Sequence, residues 1–238
     1  MRLGPAAPGT GIVFAPGTRA DVSNARAGDH CTVLGRGAGR VRAVEHLLAA
    51  CTGLGITDLL VDCPNGEPPF GDGSSRHFVR ALTRSGMYDS GTGPRPLVLS
   101  RPVLVESGGS FAVARPASAL RVLCVTDFPW SGPECCDWQA SSATFASELA
   151  EARTVAYTGE SPARLRQALG LRFRLVRRGG FVLPARPRFA GEACRHKLLD
   201  LLGDLALVAR PLRAEVYVFR PGHRLNLALA RELATQAA

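Results

Sequence analysis

Lysine is almost absent from this chain of 238 residues. Of its 29 basic residues, only Lys197 is a lysine, and the others are arginine. Aromatic residues make up 6% of the sequence and do not alternate with basic ones, which argues against a stacking platform for single-stranded nucleic acid. We therefore attribute the formal charge of +9 to arginine spread over the surface, and we expect an anionic small-molecule partner and no nucleic acid.

Other absences narrow the class of protein further. No apolar run approaches the length of a transmembrane segment, and residues 1–18 lack the apolar core of a signal peptide, so we expect a cytoplasmic protein. The seven cysteines are odd in number and form no Cys-x-x-Cys pair, which argues against a disulfide framework and against a thiolate zinc site. No Gly-x-Gly-x-x-Gly motif follows a predicted strand, which argues against a Rossmann fold.

Each half of the chain begins with predicted strands and continues with predicted helices. This order is typical of an α+β architecture and predicts two similar layered domains, each a β-sheet packed with helices. We place the N-terminal domain at residues 1–90 and the C-terminal domain at residues 97–238, joined by a linker rich in Gly, Ser and Pro. Within these domains the apolar pattern predicts a strand over 97–105 and helices over 41–53, 144–152 and 193–208.

Two predicted helices carry residues that are able to bind a metal ion. His196 and Asp200 are four residues apart in a leucine-rich helix and share one face of it, with Asp204 one turn further along. His46 follows Glu45 in the earlier helix, where the histidine would bind a metal and the glutamate would reach a water molecule held on it. The alternatives are an ordinary histidine satisfied by its helix and an amphipathic helix whose charged residues face water.

Three further residues complete the candidate set. Lys197, beside His196, carries a compact point charge that the planar fork of arginine does not replace. Gly203 permits another backbone to approach the same helix closely. His223 follows Gly222 in a turn between a predicted strand and a predicted helix, where a histidine is able to shuttle protons or simply to cap the helix.

Four motifs combine these residues in one order along the chain. They read Glu45-His46-Leu47, Gly71-Asp72-Gly73-Ser74, His196-Lys197-x-x-Asp200-x-x-Gly203-Asp204 and Gly222-His223-x-Leu225-Asn226. With these motifs, and with Arg153-Thr154 between the second and the third, the chain resembles the zinc-dependent UDP-3-O-acyl-N-acetylglucosamine deacetylases of lipid A biosynthesis. The resemblance implies a zinc-dependent amidohydrolase that removes an acetyl group from a nucleotide sugar, with its active site between the two domains.

The resemblance also implies a role for each matching residue. His46, His196 and Asp200 look like the ligands of a catalytic Zn²⁺, whose fourth position is left for water. Glu45 resembles the general base that deprotonates this water. His223 resembles the general acid that protonates the departing amine.

The remaining matches are expected to serve the same reaction. Asp204 looks like the carboxylate that orients His223, and Thr154 looks like a hydrogen-bond donor to the tetrahedral oxyanion. Lys197 and Gly222 are expected to contact the substrate. We expect the protein to act as a monomer.

The chain departs from the family pattern at several places. Ala43 stands where a threonine is usual and Val155 where an aromatic residue is usual, and residues 164–188 are rich in arginine. We therefore expect a shortened and divergent member of the family, which lacks an early Gly-Leu-His-x-Gly segment. The alternatives are a deacetylase of a different N-acyl substrate, a non-catalytic relative that binds a nucleotide sugar or a partner, and an arginine-driven RNA-binding module.

Overall fold

The structure is a computed structural model that describes residues 1–236. It mixes helices and strands, which confirms the predicted α+β class. The strands are β1 (Arg2–Gly4), β2 (Ile12–Phe14), β3 (Thr18–Arg19), β4 (Ala25–Ala27), β5 (Thr32–Leu34), β6 (Val41–Arg42), β7 (Leu59–Asp62), β8 (Leu97–Val98), β9 (Val103–Ser107), β10 (Ser110–Pro116), β11 (Arg121–Phe128), β12 (Gly132–Gln139), β13 (Ala156–Tyr157), β14 (Leu175–Arg178), β15 (Phe181–Pro184) and β16 (Leu212–Phe219). The α-helices are α1 (Glu45–Leu54), α2 (Arg76–Ser85), α3 (Ser142–Thr144), α4 (Pro162–Ala168), α5 (Glu192–Leu205) and α6 (His223–Thr235). None of the helices within the described part of the chain is both long enough and apolar enough to cross a membrane.

The strands of residues 1–236 form four sheets. The largest has the order β12-β11-β16-β10-β9, with β8 paired to β16, and the others have the orders β1-β7-β2-β3, β4-β5-β6 and β13-β15-β14. Along β16, buried residues alternate with more exposed ones, so one face of the large sheet carries the core. On that face α5 packs against β11 and β12, and α6 packs against β9 and β10.

Helix α5 is enclosed by its neighbours because it packs against the large sheet on one side and against α1 on another. Its five leucines after Lys197 are all buried, as are His196, Asp200 and Asp204. The polar residues of this helix therefore do not form a face exposed to water, and the amphipathic alternative is wrong. A helix that buries charged groups in this way must supply partners for them.

The contact between α1 and α5 depends on Gly203. A Cβ atom at this position would lie 2.1 Å from the backbone oxygen of Glu45 and 2.7 Å from its carbonyl carbon, so only glycine permits the observed approach. The predicted close approach at Gly203 is thereby confirmed. Because Glu45 and His46 open α1, this contact brings the start of α1 against the last turn of α5.

Several predicted boundaries were wrong for local reasons. The helix predicted over 41–53 begins only at Glu45. Val41–Arg42 pairs with β5 as a strand, and Ala43 has a left-handed backbone (φ 51°) that a right-handed helix does not contain. The strand predicted over 97–105 is two strands, because β8 runs parallel to β16 whereas β9 pairs antiparallel with β10.

The second half of the chain also differs from the prediction in detail. The helix predicted over 144–152 is the single turn α3 followed by a wider turn, Phe145–Leu149, in which the Ala150 N–H bonds to the Phe145 carbonyl. The helix predicted over 193–208 is α5 followed by a 3₁₀ turn, Ala206–Val208. The sequence analysis missed β12 and β14 because their outward positions are polar or basic. The division into domains 1–90 and 97–238 stays a prediction.

Candidate functional site

Three potential metal ligands converge where α1 meets α5. His46 Nε2 lies 3.4 Å and His196 Nε2 lies 3.2 Å from the same oxygen, Oδ1 of Asp200. One ligand atom from each residue falls within 4.8 Å of the others. The rings of the two histidines meet edge to face with their centroids 4.9 Å apart. Residues that are 150 positions apart in sequence therefore form one compact donor set of two nitrogens and one oxygen.

The donor set passes a test of fit to a metal cation. His196 Nδ1 lies 3.0 Å from the Ala152 carbonyl and donates its hydrogen there, which leaves a lone pair on Nε2. This Nε2 atom and Oδ1 of Asp200 are both buried, and neither has a hydrogen-bond partner among residues 1–236. Two acceptor atoms that face each other in a buried site repel, and a cation placed between them removes the conflict. His46, His196 and Asp200 are therefore able to hold a metal cation.

Asp200 divides its two oxygens between different partners. Oδ1 faces the histidines, whereas Oδ2 accepts a hydrogen bond of 3.0 Å from Nζ of Lys197. The ammonium of Lys197 favours the ionised form of Asp200, because the two opposite charges are in direct contact. Asp200 is therefore ionised and available as a ligand at neutral pH.

Glu45 is the first residue of α1, where the helix dipole favours a negative charge. Its side chain is buried, and Oε2 accepts a hydrogen bond of 3.0 Å from the backbone N–H of Thr32. Burial raises the pKa of Glu45, although the nearby His223 and His46 act in the opposite direction. Its other oxygen, Oε1, lies 3.7 Å from Nε2 of His223. The carboxylate is thus fixed through one oxygen and faces the site with the other.

His223 is held by a buried hydrogen-bond network around Asp204. Nδ1 of His223 donates to Oδ2 of Asp204 over 2.8 Å, and Nδ2 of Asn226 donates to the same oxygen over 2.9 Å. Oδ1 of Asp204 accepts a hydrogen bond of 2.5 Å from the hydroxyl of Thr32. Burial lowers the pKa of His223, but Asp204 outweighs burial and raises the pKa to about 9. His223 is therefore a cation near neutral pH.

A cleft of about 660 Å³ opens over these residues. Of the predicted site residues, those that line it are Glu45, His46, Thr154, Lys197, Asp200, Gly222 and His223. The two that do not line it, His196 and Asp204, stand behind the wall and contact lining residues. The structure thus brings all nine predicted residues to one place, and the cleft has the size of a small-molecule site.

Comparison with known families decides the relationship. The family model described as LpxC, UDP-3-O-acyl N-acetylglycosamine deacetylase, matches residues 1–235. The chain belongs to this family. LpxC proteins are metalloenzymes that deacetylate a lipid-bearing nucleotide sugar in lipid A synthesis. The family assignment made from the four sequence motifs is therefore confirmed.

The second LpxC motif shapes the wall of the cleft beside Thr154. The Thr154 N–H donates to the Gly73 carbonyl over 2.8 Å, and a Cβ on Gly73 would lie 2.9 Å from a methyl carbon of Thr154. Asp72 accepts hydrogen bonds from Ser74 through Oδ1 and from the Arg188 guanidinium through Oδ2, at 2.7 Å for the latter. The loop around Gly73 is thereby tied to the arginine-rich segment that precedes α5.

Arg153 anchors the segment that carries Thr154, which lies just before β13. Its Nε and Nη2 donate to the two oxygens of Glu192 at 2.8 and 3.0 Å, and both side chains are about 6% exposed. This paired arrangement is geometrically specific and strong in a buried setting. The motif Arg153-Thr154 therefore combines a structural arginine with a residue that faces the cleft.

Sequence reasoning missed Thr32, Asn226 and Glu192. Thr32 lies in a strand of only three residues, where no local pattern distinguishes a functional threonine from a packed one. Asn226 belongs to the last motif, but its contact with Asp204 depends on the packing of α6 against α5. Glu192 is a buried acid at the start of α5, and the one available signal was its position four residues before His196, with which the histidine motif begins.

Proposed function

We propose that this chain is a zinc-dependent N-deacetylase that hydrolyses the acetamide of UDP-3-O-acyl-N-acetylglucosamine. The observation that carries the proposal is the pair of buried, unpartnered atoms, Nε2 of His196 and Oδ1 of Asp200, that face His46 beside an acid and a base. Two imidazole nitrogens and one carboxylate oxygen form the ligand set of many catalytic zinc sites. In such a site Zn²⁺ lowers the pKa of bound water to about 7 and polarises a carbonyl oxygen.

Glu45 is proposed as the general base. Its raised pKa brings its proton affinity closer to that of the water it must deprotonate. The hydrogen bond from the Thr32 backbone holds Oε2, so Oε1 is the atom that accepts the proton. The water oxygen then bonds to the carbonyl carbon, and the charge moves to the carbonyl oxygen.

His223 is proposed as the general acid. A pKa of about 9 keeps its imidazole protonated at neutral pH, and Nδ1 is engaged by Asp204, so Nε2 carries the transferable proton. That proton passes to the amide nitrogen as the C–N bond breaks, which releases acetate and a free amine. An amine is a poor leaving group without this proton, so the reaction requires a proton donor in this position.

The substrate contacts are proposed for residues that line the same cleft. Lys197 points its ammonium into an acidic centre and offers a positive charge to an anionic substrate. Gly222 lines the cleft at the turn before α6, where its lack of a side chain leaves room for the substrate. Thr154 is proposed as a hydrogen-bond donor to the oxyanion. Among residues 1–236 its hydroxyl makes no shorter hydrogen bond than a long contact of 3.4 Å with the Val155 carbonyl.

The proposal is tested by acetate release from UDP-3-O-acyl-N-acetylglucosamine, with zinc measured in the same samples. We expect Glu45→Gln and His223→Gln to retain zinc and to lower kcat by about 100-fold or more, because each removes one proton-transfer group. Glu106→Gln, at an exposed position on β9, is the matched control and should leave kcat unchanged.

Two results would reject parts of this assignment. Full turnover by either active-site variant in zinc-loaded protein would reject the proposed acid and base. A wild-type protein that binds zinc but releases acetate only from a different N-acetylated sugar would keep the chemistry and reject the named substrate.

A further inference from the structure

Thr32 contacts each of the groups that the proposed reaction uses for proton transfer. Its backbone N–H donates to Oε2 of Glu45 over 3.0 Å, and its hydroxyl donates to Oδ1 of Asp204 over 2.5 Å. The same hydroxyl oxygen lies 3.2 Å from Nδ1 of His223. Thr32 itself is completely buried in β5. One residue thus links the proposed base to the proposed acid through the carboxylate behind it.

The contacts of Thr32 fix the carboxylate that fixes His223. Asp204 accepts the His223 Nδ1–H and the Asn226 amide at Oδ2, so the Thr32 hydroxyl is the donor at its other oxygen, Oδ1. A carboxylate held at both oxygens cannot rotate about its Cβ–Cγ bond without losing a hydrogen bond. Because the histidine ring follows this carboxylate, the direction of His223 Nε2 is set from Thr32.

The position of β5 explains why this residue is rigid enough to act in this way. Thr32, Val33 and Leu34 are all buried, and β5 is paired on both sides, with β4 and with β6. Strand β6 leads through Ala43 directly into α1, which starts with Glu45. The backbone that positions Glu45 and the side chain that positions Asp204 therefore belong to one small, buried sheet.

We propose that Thr32 is a positioning residue, which aligns Glu45 and His223 for successive proton transfers without touching the substrate. This inference rests on the proposed deacetylase function. It separates two contributions of one residue, because the backbone N–H serves the base and the hydroxyl serves the acid. Replacing the hydroxyl alone should therefore disturb His223 and spare Glu45.

The experiment compares Thr32→Val with Thr32→Ser. Valine keeps the branched shape and the backbone N–H but removes the hydroxyl, whereas serine keeps the hydroxyl. We expect Thr32→Val to lower kcat by about 10- to 100-fold with little change in KM and with full zinc content, as is typical when a partner behind an active-site ligand is lost. Thr32→Ser should recover most of kcat. Thr126→Val, at another buried threonine, is the control for a purely structural loss and should leave kcat unchanged.

A crystal structure of Thr32→Val provides a readout that needs no substrate. We expect the Asp204 carboxylate and the His223 ring to be displaced in this variant and to keep their places in Thr32→Ser. An unchanged kcat in Thr32→Val, or an unmoved His223 in its crystal structure, would overturn the inference. Absence of acetate release by the wild-type protein would instead reject the proposed function, and the crystallographic comparison would still decide the role of Thr32.

Discussion

Replacement of Gly203 by alanine tests whether the contact between α1 and α5 sets the geometry of the site. The added Cβ would lie 2.1 Å from the backbone oxygen of Glu45, and the helices must separate by about 1.3 Å to bring this contact to an ordinary 3.4 Å. Backbone atoms cannot rotate away as a side chain does. Overpacking of a core typically costs about 1–3 kcal/mol. Alanine recovers about 1 kcal/mol through its better helix propensity. A clash with rigid backbone belongs at the upper end of the overpacking range, about 3 kcal/mol, so we expect a net loss of about 2 kcal/mol in the free energy of unfolding.

The same displacement should weaken metal binding. His46 follows Glu45 on α1, whereas the other two ligands lie on α5, so separating the helices pulls the donor set apart. Ligand distances in metal sites are held to within about 0.2 Å. A displacement several times larger should lower zinc affinity by about 10-fold or more. The measurements are urea unfolding of the metal-free variant and competition for zinc against a chromogenic chelator.

Two glycines serve as controls for this prediction. A Cβ on Gly159 would meet nothing within 4 Å, so Gly159→Ala should change neither quantity. Gly53 lies near the end of α1, far from His46, and a Cβ there would lie 2.1 Å from the ring of Phe145. Gly53→Ala should therefore lower stability and spare zinc affinity. Wild-type stability and wild-type zinc affinity in the Gly203 variant would refute the argument that this contact sets the ligand spacing.

Further predictions concern the charged groups of the site. Lys197→Arg should keep zinc but lower kcat/KM by about 10-fold, because a guanidinium does not fit the place of an ammonium 3.0 Å from Asp200. Unchanged steady-state kinetics would show that the reaction does not depend on a lysine at this position. The pKa of His223 is raised to about 9 from about 6.5 in the unfolded chain, so its contribution to stability is complete below pH ~6.5 and is lost as the pH rises through about 9. Urea unfolding of the metal-free protein should show this fall, of about 1–3 kcal/mol, and His223→Asn should flatten it. Arg153→Ala should lower the free energy of unfolding, measured by thermal or urea unfolding, by about 3–5 kcal/mol, because it leaves the charge of the buried Glu192 carboxylate unpaired. A loss below about 1 kcal/mol would show that water replaces the guanidinium there.

The local part of the site was predictable from sequence because helical spacing is regular. His196, Asp200 and Asp204 fall on one face of α5 wherever that helix forms, and the structure buries all three of them. Their meeting with His46 and His223 was different in kind. It depends on packing between elements far apart in sequence, and the expectation came from family resemblance rather than from spacing.

The parts that sequence reasoning missed share a physical cause. The start of α1 was placed too early because apolar residues continue through Val41, whereas the left-handed backbone at Ala43 and the pairing of β6 stop the helix. Strand β12 has a polar outer side and therefore lacks the apolar alternation of a half-buried strand across its length. Thr32 acquires its importance only when β5, α1 and α5 are placed together.

The spacing of the candidate metal ligands along the chain has a consequence for folding. All seven cysteines are free thiols, so no disulfide limits the unfolded chain. An ion held by His46 and His196 would close a loop of about 150 residues, and the entropy removed from an unfolded chain by a cross-link grows with the length of the loop it closes. Metal binding is also coupled to folding wherever the site is absent from the unfolded state. The centre that we assign to chemistry would thus also act as a long-range cross-link between the two halves of the chain.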